Sequence, residues 1–209
     1  MPSYDALFNA LVTMLVTIDP PGLAPLFLAV TAGMNRAERM QVAVRASVIG
    51  FITLAVFAVA GAAILSLFGI TLPAFRVAGG LLLFYIAFEM IFERRQERHE
   101  KSAKRAITQD MIRNVAAFPL AIPLIAGPGA ISAAVLLSGT MPGPTGHAML
   151  VAIIALCIGV TFLVFVLAER VDRFLGETGR SILTRLLGVI LAALAVQFVA
   201  DGIKALMAA

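Results

Sequence analysis

The sequence has few of the residues on which most metal, disulfide and catalytic sites depend. Among its 209 residues are one cysteine, two histidines and no tryptophan. A lone Cys157 excludes an internal disulfide and a metal site built on paired thiolates. The chain also lacks the HExxH, GxSxG and GxxxxGK[ST] motifs. We therefore expect no enzyme, no metal, no other cofactor and no ATP-driven transport by this chain alone.

Charge is scarce as well. Only 13% of the residues are charged, whereas a soluble domain carries about a quarter, and 61% are apolar with a mean hydropathy of +1.00. An integral membrane protein is therefore expected. Apolar runs near or above the ~20 residues that cross a bilayer as a helix predict six spans. They are residues 6–32, 43–70, 70–92, 115–139, 147–168 and 182–200.

The positive charges predict the orientation of the chain. Fourteen of the 16 lysines and arginines follow the first, third and fifth spans, which leaves Arg76 and Lys204 on the other face. Because basic loops stay in the cytoplasm, both termini are expected on the periplasmic side. The high isoelectric point is then a topology signal, and no nucleic-acid partner is expected. The basic linker 93–114 should be cytoplasmic.

The two halves of the chain resemble each other. At a shift of 107 residues, IDPPG (Ile18–Gly22) falls on IAGPG (Ile125–Gly129), and at 109, RVAGG (Arg76–Gly80) falls on RLLGV (Arg185–Val189). Each half has three spans, an odd number, so the second half enters the membrane from the opposite side. We predict an all-α membrane domain made of inverted repeats, 1–92 and 115–209, in which helices 1 and 4 are broken.

The paired Pro-Gly breaks suggest a binding site. Proline leaves carbonyls unbonded, which suit an ammonium, whereas the N–H groups that open a new half-helix suit an anion. Asp19 could hold the ammonium, take up a coupling proton or cap the second half-helix. The predicted substrate-binding residues are Asp19, Pro20, Pro21, Gly22, Ala24, Gly127, Pro128, Gly129 and Ser132. Asn9, Thr13 and Gln197 are expected to surround them.

The break segments IDPPGLAPLFLAVT and PLAIPLIAGPGAIS, with GGLLLFYIAFEM and LGVILAALAVQFVADGI, resemble the MarC family of bacterial inner-membrane proteins. That family includes transporters of neutral amino acids of the SnatA type. Asp19, Pro20 and Gly22 match the family's Asn/Asp-Pro-x-Gly, with Pro21 in the variable position. The resemblance implies a six-span protein that moves glycine, alanine or serine with proton coupling.

The residues and the resemblance together favour a secondary transporter that works by alternating access at the helix breaks, with a neutral amino acid and H+ as its small-molecule partners. One alternative is an exporter of amino acids or other small metabolites. Another is a non-transporting membrane assembly protein, because small-residue helix faces also serve homo-oligomers. In each case the chain is expected in the lipid bilayer of the inner membrane.

Overall fold

The computed structural model describes residues 3–92 and 116–208, and the predicted linker 93–114 lies outside the described residues. Within the described residues the chain is helical and forms no strand. The helices of the described residues are α1 (Tyr4–Ile18), α2 (Pro20–Val30), α3 (Arg36–Leu67), α4 (Leu72–Ile91), α5 (Ala116–Ile125), α6 (Pro128–Thr140), α7 (Gly143–Val166) and α8 (Ala168–Met207). Of these, α5 is wound as a π-helix.

The described helices confirm an all-α membrane protein. Five of the apolar segments in these residues are long enough to span a bilayer: α1 with α2, α3, α4, α7 and α8. The predicted fourth span is represented by α5 and the shorter apolar helix α6. Along α3, large apolar side chains point outward at every fourth residue, at Val44, Val48, Ile52 and Val56. An exposed apolar stripe of this length suits contact with lipid.

The interrupted helices lie in the middle of the bundle. Across its most apolar stretch, the α1–α2 pair is 67% buried, against 17% to 39% for α3, α4, α7 and α8. Every residue of α6 from Ser132 to Ser138 is buried. The four long helices therefore cover much of the interrupted helices. Irregular backbone is tolerated in membrane proteins where it is buried in this way.

Glycine brings α4 and α8 into close contact. A Cβ on Gly80 would lie 3.0 Å from the carbonyl oxygen of Ala195, and one on Gly188 would lie 3.2 Å from that of Ala87. Backbones that approach this closely gain packing energy that lipid tails do not supply. Gly80 and Gly188 therefore have a packing role.

The basic segment before the sixth predicted span differs from a plain loop. Helix α8 begins at Ala168, directly after α7, and continues to Met207 with one interruption at Gly176, where φ is 59° and ψ is −176°. Positive φ is readily adopted by glycine, so the chain can turn there. Arg180 forms an ion pair with Asp172 across this turn. The pair links the two parts of α8 on the basic side of the bundle.

Candidate functional site

The first helix break is centred on Asp19. Helix α1 ends at Ile18 and α2 begins at Pro20, and Asp19 between them has the left-handed conformation φ 57°, ψ 62°. Neither Pro20 nor Pro21 has an N–H group to continue the hydrogen bonds of α1. Among the described residues, Asp19 is the one non-glycine with positive φ. Such a residue costs about 1–2 kcal/mol, so the surrounding structure must hold it in place.

The groups of Asp19 connect both helices. Its N–H donates to the carbonyl of Leu15 at 2.9 Å, and its carbonyl accepts from the N–H of Leu23 at 3.2 Å. Its carboxylate, in a residue only 5% exposed, accepts from the N–H of Gly22 at 3.3 Å. A carboxylate at this position is stabilised by the positive end of the α2 dipole. Asp19 therefore ends α1 and caps α2.

Gly22 leaves the space that this cap occupies. A Cβ on Gly22 would lie 2.3 Å from Oδ2 of Asp19 and 2.8 Å from its Cγ. Those separations are far below van der Waals contact, so any larger residue would push the carboxylate away. The Asp-Pro-x-Gly motif therefore needs glycine at its last position, because the carboxylate of its first residue occupies the space that a Cβ would take.

The second helix break has no such cap. Helix α5 ends at Ile125, and Ala126 donates its N–H to the carbonyl of Ala121 at 2.8 Å. Helix α6 begins at Pro128 after Gly127, whose backbone is extended at φ −76° and ψ 169°. Within the described residues no side chain caps α6. The positive end of its dipole is therefore not offset by an acidic cap comparable to Asp19.

The two breaks lie next to each other. A Cβ on Gly129, in the first turn of α6, would lie 3.4 Å from Cγ2 of Thr17 and 2.2 Å from Cδ1 of Ile86. Thr17 is in the last turn of α1, two residues before Asp19, and its hydroxyl donates to the carbonyl of Thr13 at 2.5 Å. The end of α1 and the beginning of α6 are therefore in direct contact inside the bundle.

The other predicted residues divide into two groups. Most accompany the breaks: Pro20, Ala24 and Ser132 are buried, Pro21 and Gly127 are half-buried, and Pro128 is exposed. Thr13 is fully buried one turn before Thr17, and its hydroxyl has no hydrogen-bond partner among the described residues. Asn9 and Gln197 are exposed, and Gln197 donates to Asp201 on its own helix at 2.9 Å. The structure does not bring these last two to the breaks.

Four side chains that the sequence does not single out belong to the surroundings of the breaks. Ile86 of α4 and Thr17 of α1 contact Gly129. Phe27, one turn beyond Ala24 in α2, stacks on the ring of Phe165 in α7. Thr17 could have been recognised from the sequence, since it lies two residues before Asp19 and one turn after Thr13. No sequence pattern indicates Ile86 or the pair of Phe27 and Phe165.

The acidic, histidine and cysteine side chains of the described residues form no metal-binding cluster. In residues 3–92 and 116–208, no group of three or more histidine, cysteine, aspartate or glutamate side chains could hold a metal ion. The chemistry available at the breaks is therefore that of one carboxylate, backbone N–H and carbonyl groups, and the hydroxyls of Thr13, Thr17 and Ser132.

Comparison with known proteins identifies the family of the chain. The family described as MarC family integral membrane protein matches residues 4–207, almost the whole chain. The chain belongs to the MarC family. The resemblance seen in the break motifs is thereby confirmed.

Relatives of this MarC protein occur in bacteria and archaea. A UPF0056 membrane protein of Aquifex aeolicus is 35% identical over 99% of this chain and 97% of its own length. One from Archaeoglobus fulgidus is 34% identical over 94% of this chain and 91% of its own. The UPF0056 membrane protein YhcE of Escherichia coli is 32% identical over 96% and 93%. No solved structure matches the chain.

Proposed function

We propose that this MarC protein is a secondary transporter of small neutral amino acids, coupled to protons and working by alternating access at the two helix breaks. The observation that carries the proposal is the contact between the end of α1 and the beginning of α6, with a buried carboxylate at one break and an uncapped helix N-terminus at the other. Discontinuous helices that meet inside a bundle form the substrate sites of many secondary transporters.

The chemistry of the two breaks suits a zwitterion. Asp19 and the carbonyls near the end of α1 favour an ammonium group, whereas the N–H groups at the start of α6 favour a carboxylate. These two groups lie a few ångströms apart in an α-amino acid, and Thr17 and Gly129 are similarly close. The neighbours Ala24, Ala130 and Ser132 are small and buried, which favours a small side chain on the substrate.

The packing of the helices supports six spans arranged as two inverted repeats. Let α1–α2, α3 and α4 form one half and α5–α6, α7 and α8 the other. The contacts of α3 with α5 and α6 then correspond to those of α7 with α1 and α2, and α4 with α6 corresponds to α8 with α2. The contacts of α4 with α8 and of α3 with α7 join equivalent helices. Exchange of the halves leaves all of these contacts unchanged, whereas among the described residues the contacts of α1 with α6 and α8 and of α6 with α7 have no counterpart of comparable extent.

The positive charges support an orientation with both termini periplasmic in the inner membrane. Arg39, at the start of α3, forms an ion pair with Glu169, at the start of α8, at 2.7 Å. The first and the fifth predicted loops therefore lie at the same end of the bundle, as the charge distribution requires. We assign this basic end to the cytoplasm.

Flux measurements on the purified protein in liposomes test the proposal. Radiolabelled glycine, alanine and serine should exchange across the membrane, and an imposed pH gradient should drive their accumulation. Liposomes without protein and liposomes with labelled glutamate are the controls. Efflux from preloaded vesicles compares transport in the two directions and so examines the export alternative. Absence of exchange for every neutral amino acid, by correctly folded protein, would favour the membrane assembly alternative.

A further inference from the structure

A cavity of about 580 Å³ opens at the basic end of the bundle. It lies between the end of α2, the start of α3, the end of α7 and the start of α8. Its charged lining consists of Arg36, Arg39, Glu169 and Arg170. Charged groups are costly to hold against hydrocarbon, so a cavity that four of them line is filled with water.

Phe27 and Phe165 line the same cavity. Their rings are stacked, with centroids 4.6 Å apart and planes 10° from parallel. Each residue is only 2% exposed, which means that the rings cover each other and the layer beneath them. They come from different helices, α2 and α7, so a shift of one helix relative to the other would separate them.

The first helix break lies on the same helix as Phe27, deeper in the bundle than the cavity lining. Phe27 is five residues after Gly22, or about 7.5 Å along α2 at 1.5 Å per residue. Ala24, between the two, is fully buried and is not part of the cavity lining. Pro25 lacks the N–H that would bond the carbonyl of Pro21, so α2 lacks one of its internal hydrogen bonds between the break and the ring.

We infer that this cavity is the aqueous access path from the basic side of the membrane to the helix breaks, and that the stack of Phe27 on Phe165 is its closed gate. The inference rests on the proposed transport function, since it assigns the route and the gating of the same site. The substrate, a small zwitterion, enters the cavity and reaches Asp19 only when the two rings separate.

Cysteine labelling tests the gate without any need for transport. In a Cys157→Ala background, Met40→Cys places a thiol in the cavity, where Met40 is 38% exposed, and Ala24→Cys places one behind the rings. A membrane-impermeant methanethiosulfonate reagent added on the basic side should modify Met40→Cys rapidly and Ala24→Cys slowly. Adding Phe27→Ala or Phe165→Ala should accelerate labelling of Ala24→Cys at least tenfold and leave that of Met40→Cys unchanged.

Matched variants separate loss of the gate from loss of packing. Phe162→Ala removes a ring of α7 that is not part of the cavity lining, and it should not alter labelling of Ala24→Cys. Phe27→Leu and Phe165→Leu keep most of the apolar volume and should accelerate labelling less than alanine does. These leucine variants provide the same test if the alanine variants do not accumulate.

Two results would overturn the gate. One is rapid labelling of Ala24→Cys with both rings in place, and the other is labelling that neither ring truncation changes. If the labelling pattern holds but no neutral amino acid is transported, the gate stands and the proposed substrate is wrong. If neutral amino acids are transported but ring truncation leaves labelling unchanged, the transport function stands and the gate is wrong.

Discussion

The two helix breaks are built alike and charged differently. Each ends one helix and begins another at a proline, and each places a glycine in the first turn of the new helix. Asp19 stands at the first break where Ala126 stands at the second, at the shift of 107 that aligns them. One new helix therefore begins with a carboxylate cap and the other with no side-chain cap among the described residues. Two breaks that differ in this cap suit the two ends of the proposed zwitterion.

The equivalent glycines also differ in what they face. A Cβ on Gly22 would meet the carboxylate of Asp19, whereas a Cβ on Gly129 would meet the tip of the Ile86 side chain. Gly22 is required by a polar group of the proposed site, and Gly129 by the packing of an apolar neighbour. The equivalent glycine therefore leaves room for a carboxylate in the first half and for an apolar side chain in the second.

The largest effect is expected from giving the second break the carboxylate that it lacks. Ala126 is 1% exposed, so Ala126→Asp should place a negative charge where α6 begins. That charge would occupy the anion position and repel the carboxylate of the substrate. We expect no measurable uptake of glycine or alanine in liposomes. Ala126→Asn, which is similar in size but neutral, is the control and should retain part of the activity; equal activity of the two variants would contradict the proposed anion position.

Gly22→Ala should have the next largest effect. The new Cβ would displace the Asp19 carboxylate and remove its hydrogen bond with the Gly22 N–H. A hydrogen bond to a charged group contributes about 1.5–3 kcal/mol, so transport efficiency should fall by about tenfold to a hundredfold. Gly159→Ala is the matched control, because a Cβ there would meet nothing within 4 Å. Uptake by Gly22→Ala equal to that of Gly159→Ala would remove the Asp19 cap from the mechanism.

Asp19→Asn separates the charge of Asp19 from its capping role. The amide oxygen can still accept from the Gly22 N–H, so the fold and the α2 cap should persist. If Asp19 holds the ammonium, substrate affinity should fall about tenfold, as expected for loss of a charge-assisted hydrogen bond. If Asp19 carries the proton, exchange should persist and accumulation driven by a pH gradient should be lost. Wild-type behaviour in both assays would leave capping as the role of Asp19.

The existence of the breaks could be predicted from the sequence because proline chemistry is local. Pro20 and Pro128 cannot donate a backbone hydrogen bond, and glycine follows each of them within two residues. The contact between the breaks is also a physical expectation, since unpaired backbone groups must avoid hydrocarbon. The left-handed conformation of Asp19 follows from neither rule. It depends on α2 being held in place by the helices around it.

The direction in which single polar residues point could not be predicted. A membrane helix is apolar on its lipid-facing side and on its protein-facing side, so its pattern does not reveal which face is buried. From the sequence, Gln197 could lie equally well at the breaks or on the outer surface of the bundle. In the structure its side chain is exposed. The stacking of Phe27 on Phe165 joins residues far apart in the chain, which no local spacing reveals.

The smallest effect is expected at Gly129, where the comparison of the two glycines can be tested directly. Gly129→Ala brings its Cβ within 2.2 Å of Cδ1 of Ile86, a flexible side-chain end that can move. The expected loss is about 1 kcal/mol of stability, at the lower end of the cost of overpacking, measured by thermal unfolding in detergent. Uptake should change little, because alanine keeps the backbone N–H group that the proposal assigns to the substrate carboxylate.

Ile86→Val supplies the control, since valine lacks Cδ1, the atom that the new methyl group would meet. The double variant Gly129→Ala with Ile86→Val should unfold at a higher temperature than Gly129→Ala alone, with a coupling of about 1 kcal/mol between the two positions. Loss of uptake in Gly129→Ala that persists in the double variant after stability is regained would contradict this expectation and indicate that Gly129 approaches the substrate as closely as Gly22 approaches Asp19. The two breaks would then be equivalent in their glycines and different only in their caps.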